Sequence, residues 1–193
     1  MRRVGLDDLI GLGRYAEIRP EARRRIIELK RHRRIPVGDL VTLVFENFDT
    51  VLFQTQEMLF VERITDLDRV REELEVYNEL LPGPRELSAT LLIEITDPER
   101  VAAELDRLIG LDEHVSLRIG GEVVPARFEP GRAREDRISA VQYVRFPLSE
   151  DAAARLREPG TPVDVVIDHP AYRASTRLDE GQRAALAADL EAT

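Results

Sequence analysis

Two segments in the C-terminal half of the chain resemble each other at a nearly constant spacing, and this similarity constrains the fold more than any other feature. "SATLLIEITDPERVAAELDRL" at 88–108 aligns with "SAVQYVRFPLSEDAAARLREP" at 139–159. After a short gap, "VSLRIGGEVVPA" at 115–126 aligns with "VDVVIDHPAYRA" at 163–174. The hydrophobic pattern of each copy predicts a strand, a helix, a second strand, a turn and a third strand.

A repeat present in only two copies is not a solenoid, which needs at least about three units. It favours an α+β fold with an antiparallel or mixed sheet, packed helices, and a C-terminal part that is a pseudo-twofold duplication of a βαββ unit. We expect one compact domain with a helix-rich part at 1–85, units at 86–130 and 137–178, and a final helix before residue 193. The alternative is chance similarity between two strand-helix patterns.

The first copy places Gly120 and Gly121 at its turn, which suits a two-residue hairpin. The second copy places Asp168, His169 and Pro170 at the equivalent turn.

The N-terminal part is predicted to begin with a helix over 20–33, because Pro20 suits the first helical turn. Pro36 and Gly38 then end that helix. Further along, the pattern predicts a buried strand at 39–46, a helix from about 49 to 64 that Asn47 or Asp49 caps, and a helix from about 66 to 81.

Composition excludes several kinds of chemistry. The chain has no cysteine, so it forms no disulfide, no thiolate nucleophile and no iron–sulfur cluster ligated by its own thiolates. No apolar run approaches the roughly 20 residues that span a bilayer, and no signal peptide is recognisable, so a cytoplasmic protein without a membrane segment is expected. The net charge of -9 argues against general nucleic-acid binding. No HExxH, GxSxG, GxxxxGK[ST] or strand-borne GxGxxG motif occurs, which leaves open whether the protein is an enzyme.

One predicted helix carries polar residues among apolar ones. In "FENFDTVLFQTQEMLFVERI" at 45–64, helical spacing places Gln54 and Glu57 on one side. Because apolar residues cover the other directions, we expect both side chains to be largely buried and Glu57 to contact a cation. With Glu46 they form a candidate polar or metal site, whose oxygen ligands would suit Mg, Mn or Fe. The alternative is a buried Gln/Glu network tied to an arginine.

Arginine clusters provide a second kind of candidate, a site for an anion or an acidic partner. Residues 1–34 hold 11 Lys and Arg against 5 acids. The alternative for both clusters is a solvated charged surface. The candidates are Arg23, Arg24, Arg25, Arg31 and Arg34 in the N-terminal helix region, and Arg132, Arg134, Arg137 and Arg145 in and after the loop between the repeats.

Four segments carry a family resemblance: "FENFDTVLFQTQEMLFVERI", "YNELLPGPRELSATLLIEI", "SAVQYVRFPL" and "IDHPAY". Together they resemble the bacterial family catalogued as domain of unknown function 3501, over nearly the whole chain. The resemblance implies a setting beside rubrerythrin-like proteins and iron–sulfur oxidoreductases of the heterodisulfide-reductase type, and hence peroxide defence or electron transfer. The family pattern includes a histidine where Gln142 stands here, so a role that needs that histidine is in doubt for this chain.

These observations leave two hypotheses. The first is an accessory or binding protein that associates with a redox protein partner. The second is a carboxylate-based metal-binding protein or enzyme that uses Glu46 and Glu57. The identity of any cofactor and self-association into a homo-oligomer are left open.

Overall fold

The computed structural model describes residues 1–129 and 138–190 in full, and only the backbone at 133–134 and 137. Among these residues no helix combines the length and the apolar character needed to cross a membrane. The helices are α1 (Leu12–Lys30), α2 (Phe48–Val61), α3 (Leu67–Asn78), α4 (Val101–Arg107), α5 (Glu150–Arg157) and α6 (Glu180–Asp189). The strands are β1 (Arg34–Val37), β2 (Val41–Phe45), β3 (Glu86–Ile93), β4 (Val115–Ile119), β5 (Glu122–Pro125), β6 (Arg127–Phe128), β7 (Ala133–Arg134), β8 (Arg137–Ile138), β9 (Val141–Pro147), β10 (Val163–His169) and β11 (Tyr172–Arg177).

Two antiparallel sheets organise the fold. One has five strands in the order β1-β2-β3-β9-β6, and the other has four in the order β11-β10-β4-β5. A separate short pair joins β7 and β8. Helices combined with antiparallel sheets confirm the predicted α+β class.

The two predicted βαββ units correspond to β3-α4-β4-β5 and β9-α5-β10-β11. Their first strands pair with each other, and so do their second strands. Leu91 and Gln142, which are equivalent in the repeat, lie opposite each other, as do Leu117 and Val165. A local twofold axis would produce this register. The duplication itself stays a prediction, which superposition of the two units would test.

The hairpin turns differ between the two copies. Gly120 and Gly121 form the predicted turn with φ of 54° and 95°, a left-handed backbone that glycine adopts without a Cβ clash. In the second copy β10 runs through His169 and pairs it with Tyr172, so the turn consists of Pro170 and Ala171. The predicted turn at Asp168, His169 and Pro170 was therefore placed too early.

The main hydrophobic core lies between the two sheets. Inward-facing residues such as Leu43, Leu91 and Leu117 have no exposed surface there. A second core forms where α2 and α3 pack on the outer face of the five-stranded sheet, with Val51 and Leu74 among its buried members. Because polar side chains of β3 and β9 also point to this outer face, the second layer positions the candidate site.

Two predictions about the N-terminal part were wrong. Helix α1 begins at Leu12, not at Pro20, which lies inside it on the exposed side. The N–H that proline lacks would have bonded the carbonyl of Ala16, and this residue is exposed, so water can bond that carbonyl instead. Pro36 does not end the helix, which stops at Lys30. It lies within β1, an edge strand, where a missing N–H is tolerated.

Candidate functional site

A groove of about 470 Å³ lies between α2, α3 and the outer face of the five-stranded sheet, and we call it the α2 groove. Helix α2 begins where the Asn47 side chain accepts a hydrogen bond from the Thr50 N–H. Its polar row then runs along the groove. The lining residues are Phe53, Gln54, Glu57, Met58, Val61, Glu62, Tyr77, Thr90, Val141 and Tyr143.

The mouth of the α2 groove exposes apolar surface. Val61 is 60% exposed and Val141 is 37% exposed. Tyr143 also lines a second groove of about 310 Å³, together with Phe128 and with Val76, which is 62% exposed. The shared tyrosine joins the two grooves into one half-open surface that is apolar at its centre.

Glu57 lies on the wall of the α2 groove and is bound on both carboxylate oxygens. Arg19 donates to it from Nε at 2.8 Å and from Nη2 at 2.9 Å, and the Tyr15 hydroxyl donates at 2.7 Å. The Arg23 guanidinium lies 4.0 Å away. Glu57 thus contacts a cation as expected, but Gln54 and Glu57 are half-buried rather than largely buried, because their side of α2 opens onto the groove.

The surroundings of this carboxylate shift two acid–base equilibria. The hydrogen bonds from Arg19 lower the pKa of Glu57 more than its partial burial raises it, and Tyr15 adds to the lowering. Burial raises the pKa of the Tyr15 hydroxyl, and the hydrogen bond to Glu57 raises it further. At neutral pH the site therefore holds an ionised Glu57 and a protonated Tyr15.

Glu46 is fully enclosed, with 2% of its surface exposed. The Thr90 hydroxyl donates to its Oε1 at 2.7 Å, and the Thr50 hydroxyl donates to its Oε2 at 2.5 Å. Within the part of the chain that the structure describes, no cationic side chain lies within 4.0 Å of it. Glu46 and Glu57 accept hydrogen bonds from different residues. Glu46 does not line the groove itself, but its hydrogen-bond donor Thr90 does.

Glu46, Gln54 and Glu57 are the candidate polar or metal site of the sequence analysis, and the structure does not gather their side chains around one point. Gln54 and Glu57 share the groove wall, whereas Glu46 lies beneath its floor. Among residues 1–129 and 138–190, no three His, Asp or Glu side chains are grouped so that they could hold a metal ion.

The candidate arginines of the N-terminal region are exposed. Arg31 donates to Glu28 at 2.9 Å, and Arg34 is paired with Glu94. Arg25 lines a cavity of about 340 Å³ between α1 and α2, and Arg24 also faces solvent. Their role in binding a partner or an anion stays a prediction.

Arg145, in the second arginine cluster, has a structural role. It donates to the backbone carbonyls of Glu79 and Leu81 and to the carboxylate of Glu86. It thereby fixes the connection between α3 and β3. Arg132 and the side chains of Arg134 and Arg137 lie outside the described residues, so the structure does not test that cluster.

Sequence reasoning missed several residues of the site. Tyr15 and Arg19 are four residues apart and share one side of α1, but the predicted helix began after them. Tyr77, Thr90 and Tyr143 also line the groove, and no motif in the sequence marks them as site residues. If the predicted helix had begun before Pro20, its spacing would have placed Tyr15 and Arg19 on one side of it.

The fold and the groove define an α+β protein with two antiparallel sheets and an open groove, apolar at its mouth, on the helical side of the larger sheet. The model of the family described as "Protein of unknown function (DUF3501)" matches residues 3–190, and the chain belongs to this family.

One solved structure is similar over almost the full length. It is the crystal structure of a novel protein of unknown function from Burkholderia pseudomallei K96243, with 35% sequence identity and a TM-score of 0.92. The match covers 98% of this chain and 100% of that chain. A comparison with curated proteins found no match.

Glu57→Gln is expected to lower the free energy of unfolding by about 1 kcal/mol at pH 7, because charge-assisted hydrogen bonds are weakened at a partly exposed site. Since the folded-state pKa lies below the ordinary value of 4.5, this contribution is present above that value and is lost as pH falls through the lowered pKa. Urea denaturation at a series of pH values from neutral down to about 3 measures the difference.

Glu28→Gln is the matched control, because Glu28 also pairs with an arginine but both side chains are 68% exposed. The free energy of unfolding of Glu28→Gln should differ little from that of the wild type at every pH. A gap between wild type and Glu57→Gln that stayed constant through the acid range would contradict the assignment of the Glu57 pair.

Proposed function

We propose that this protein is a cytoplasmic, non-catalytic accessory protein that binds a partner protein through the α2 groove. The partner is proposed to be a redox protein of the rubrerythrin-like or iron–sulfur type. The observation that carries the proposal is the exposed apolar surface at the groove mouth, where Val61 and Val141 face solvent beside Tyr143.

Several properties of this surface support protein binding. Contiguous exposed apolar surface with a polar rim is typical of interaction sites. Interface centres are enriched in tyrosine and methionine, and the groove contains Tyr77, Tyr143 and Met58. Glu62 and Glu79 add acidic groups to the linings of the two grooves.

The proposed class of partner rests on the family resemblance and on composition. Without cysteine, the chain has no thiolate with which to take part in redox chemistry, so such chemistry would belong to the partner. The oxygens of Glu46 and Glu57 already accept hydrogen bonds from protein donors, which favours a binding role over a metal site. The metal-binding alternative stays a prediction that metal analysis of untagged protein would test.

Val61→Asp is expected to reduce recovery of the partner at least about tenfold, because a carboxylate would replace an apolar contact and would have to be desolvated in the interface. The measurement is affinity purification from cells of the source organism with identification by mass spectrometry. Ile27→Asp on α1 is the control, because Ile27 is 63% exposed and lies outside both grooves.

Wild type and Ile27→Asp should recover the same redox protein. Equal recovery of that protein by Val61→Asp would contradict binding at the α2 groove. Both substitutions are at exposed positions, so thermal denaturation should show nearly unchanged stability for both variants.

A further inference from the structure

Beneath the floor of the α2 groove lies the carboxylate of Glu46, which has no cationic side chain within 4.0 Å among the described residues. Glu46 is 2% exposed, and both of its carboxylate oxygens accept hydrogen bonds. Its partners, Thr50 and Thr90, are neutral hydroxyls. A buried carboxylate is stabilised strongly by a nearby positive charge, and no described side chain supplies one within 4.0 Å.

Several polar groups of the groove can accept hydrogen bonds from an occupant. Thr90 uses its hydroxyl hydrogen on Glu46, so its lone pairs remain available on the groove side. Glu62 adds carboxylate oxygens to the wall, whereas those of Glu57 already accept hydrogen bonds from Arg19 and Tyr15. The Gln54 amide oxygen is a further acceptor, since its side chain makes no hydrogen bond within the described residues.

The apolar lining suits a delocalised cation. Phe53, Tyr77 and Tyr143 place aromatic rings around the groove, and cations are attracted to aromatic faces. A guanidinium combines stacking on such rings with donors that point in several directions, which an acceptor-rich site can bind. The volume of about 470 Å³ suits a side chain with its neighbours rather than a whole domain.

We propose that the α2 groove receives an arginine side chain, flanked by apolar residues, from the partner protein. This inference rests on the proposed function and specifies the chemistry of the docking segment. Charge complementarity supports it, because residues 35–193 hold 17 Lys and Arg against 32 acids. The flanking apolar residues meet Val61 and Val141, and the guanidinium lies above Thr90.

The test compares two fluorescein-labelled, end-capped peptides of sequence Leu-Val-X-Val-Leu, in which X is arginine or its neutral isostere citrulline. Fluorescence anisotropy with wild-type protein should show at least about tenfold tighter binding of the arginine peptide. Glu46→Gln should reduce this preference to about threefold or less, because it removes the charge beneath Thr90. Glu28→Gln, an exposed position on α1, should leave the preference unchanged.

A second variant keeps the test decisive if Glu46→Gln does not fold. Val61→Lys adds a cation at the groove mouth and should abolish the preference for arginine, whereas Ile27→Lys should not.

Capped arginine amide alone should bind at least about a hundredfold more weakly than the peptide, because it lacks the apolar flanks. Equal affinity of this small molecule would overturn the assignment to a protein segment.

Equal binding of the arginine and citrulline peptides to wild type would overturn the inference, as would a preference that survives in both Glu46→Gln and Val61→Lys. Affinity purification of the partner protein with Val61→Asp tests the proposed function separately from the arginine inference. If Val61→Asp loses the partner while the peptides show no preference, the arginine inference alone fails. If partner recovery is also unchanged, both fail.

Discussion

Asp189→Ala is expected to lower the free energy of unfolding by about 3–5 kcal/mol, because it leaves the Arg33 guanidinium buried without its counter-charge. Arg33 donates from Nη1 and Nη2 to the two carboxylate oxygens of Asp189 at 2.7 and 2.8 Å, and both residues are 5% exposed. The pair connects the segment before β1 to the end of α6, across 156 residues of sequence. Urea denaturation followed by circular dichroism measures the loss.

Two controls separate this effect from a general sensitivity to charge removal. Asp168→Ala breaks a pair with Arg173 whose side chains are 75% and 73% exposed, and it should cost at most about 1 kcal/mol. Replacing Arg33 by Met and Asp189 by Leu together should recover much of the lost stability, because no buried charge remains. A loss below about 1 kcal/mol for Asp189→Ala would show that the pair is not a buried stabilising contact.

Phe146→Ala is expected to destabilise the protein by about 3–5 kcal/mol, because it opens a cavity between the two sheets. Phe146 has no exposed surface, and its ring centroid lies 6.0 Å from that of Phe45. Phe146 points inward from β9, opposite Leu87 of β3. Little of the lost contact can be replaced, since the strands on both sides are fixed by ladder hydrogen bonds.

Phe53→Ala is the matched control for this prediction, because Phe53 is half-buried and lines the open α2 groove. It should cost clearly less stability than Phe146→Ala in the same denaturation experiment. If the two substitutions had equal effects, the core between the sheets would not dominate the stability of the fold.

The sequence predicts elements well where local signals agree. Helices α2 and α3 begin directly after Asn47 and Asp66, whose side chains cap them, and both caps were among the predicted starts. The βαββ units were predictable because each strand and helix carries its own hydrophobic period. The start of α1 was not, since Pro20 is a typical helix start and nothing in the local pattern shows that it is tolerated inside a helix.

The candidate site is predictable only in part. That Glu57 needs a cation follows from burial energetics, but 38 residues separate it from Arg19, and the sequence alone does not indicate that pairing. The groove is assembled from α2, α3, β3 and β9, so its shape depends on packing between distant segments. The two hydroxyl partners of Glu46, Thr50 and Thr90, likewise meet it only when β2, β3 and α2 are brought together.

Because the chain contains no cysteine, binding of a partner at the α2 groove can be tested directly with a single introduced thiol. Val61→Cys and Ile27→Cys each introduce a single thiol, at positions where the native side chains are 60% and 63% exposed. Each variant would be labelled with a benzophenone maleimide and irradiated in an extract of the source organism. The account predicts that position 61 cross-links a redox protein, that unlabelled wild-type protein competes with this cross-link, and that position 27 does not give it. Cross-linking of the same protein with equal yield from both positions, or from position 27 alone, would contradict the account.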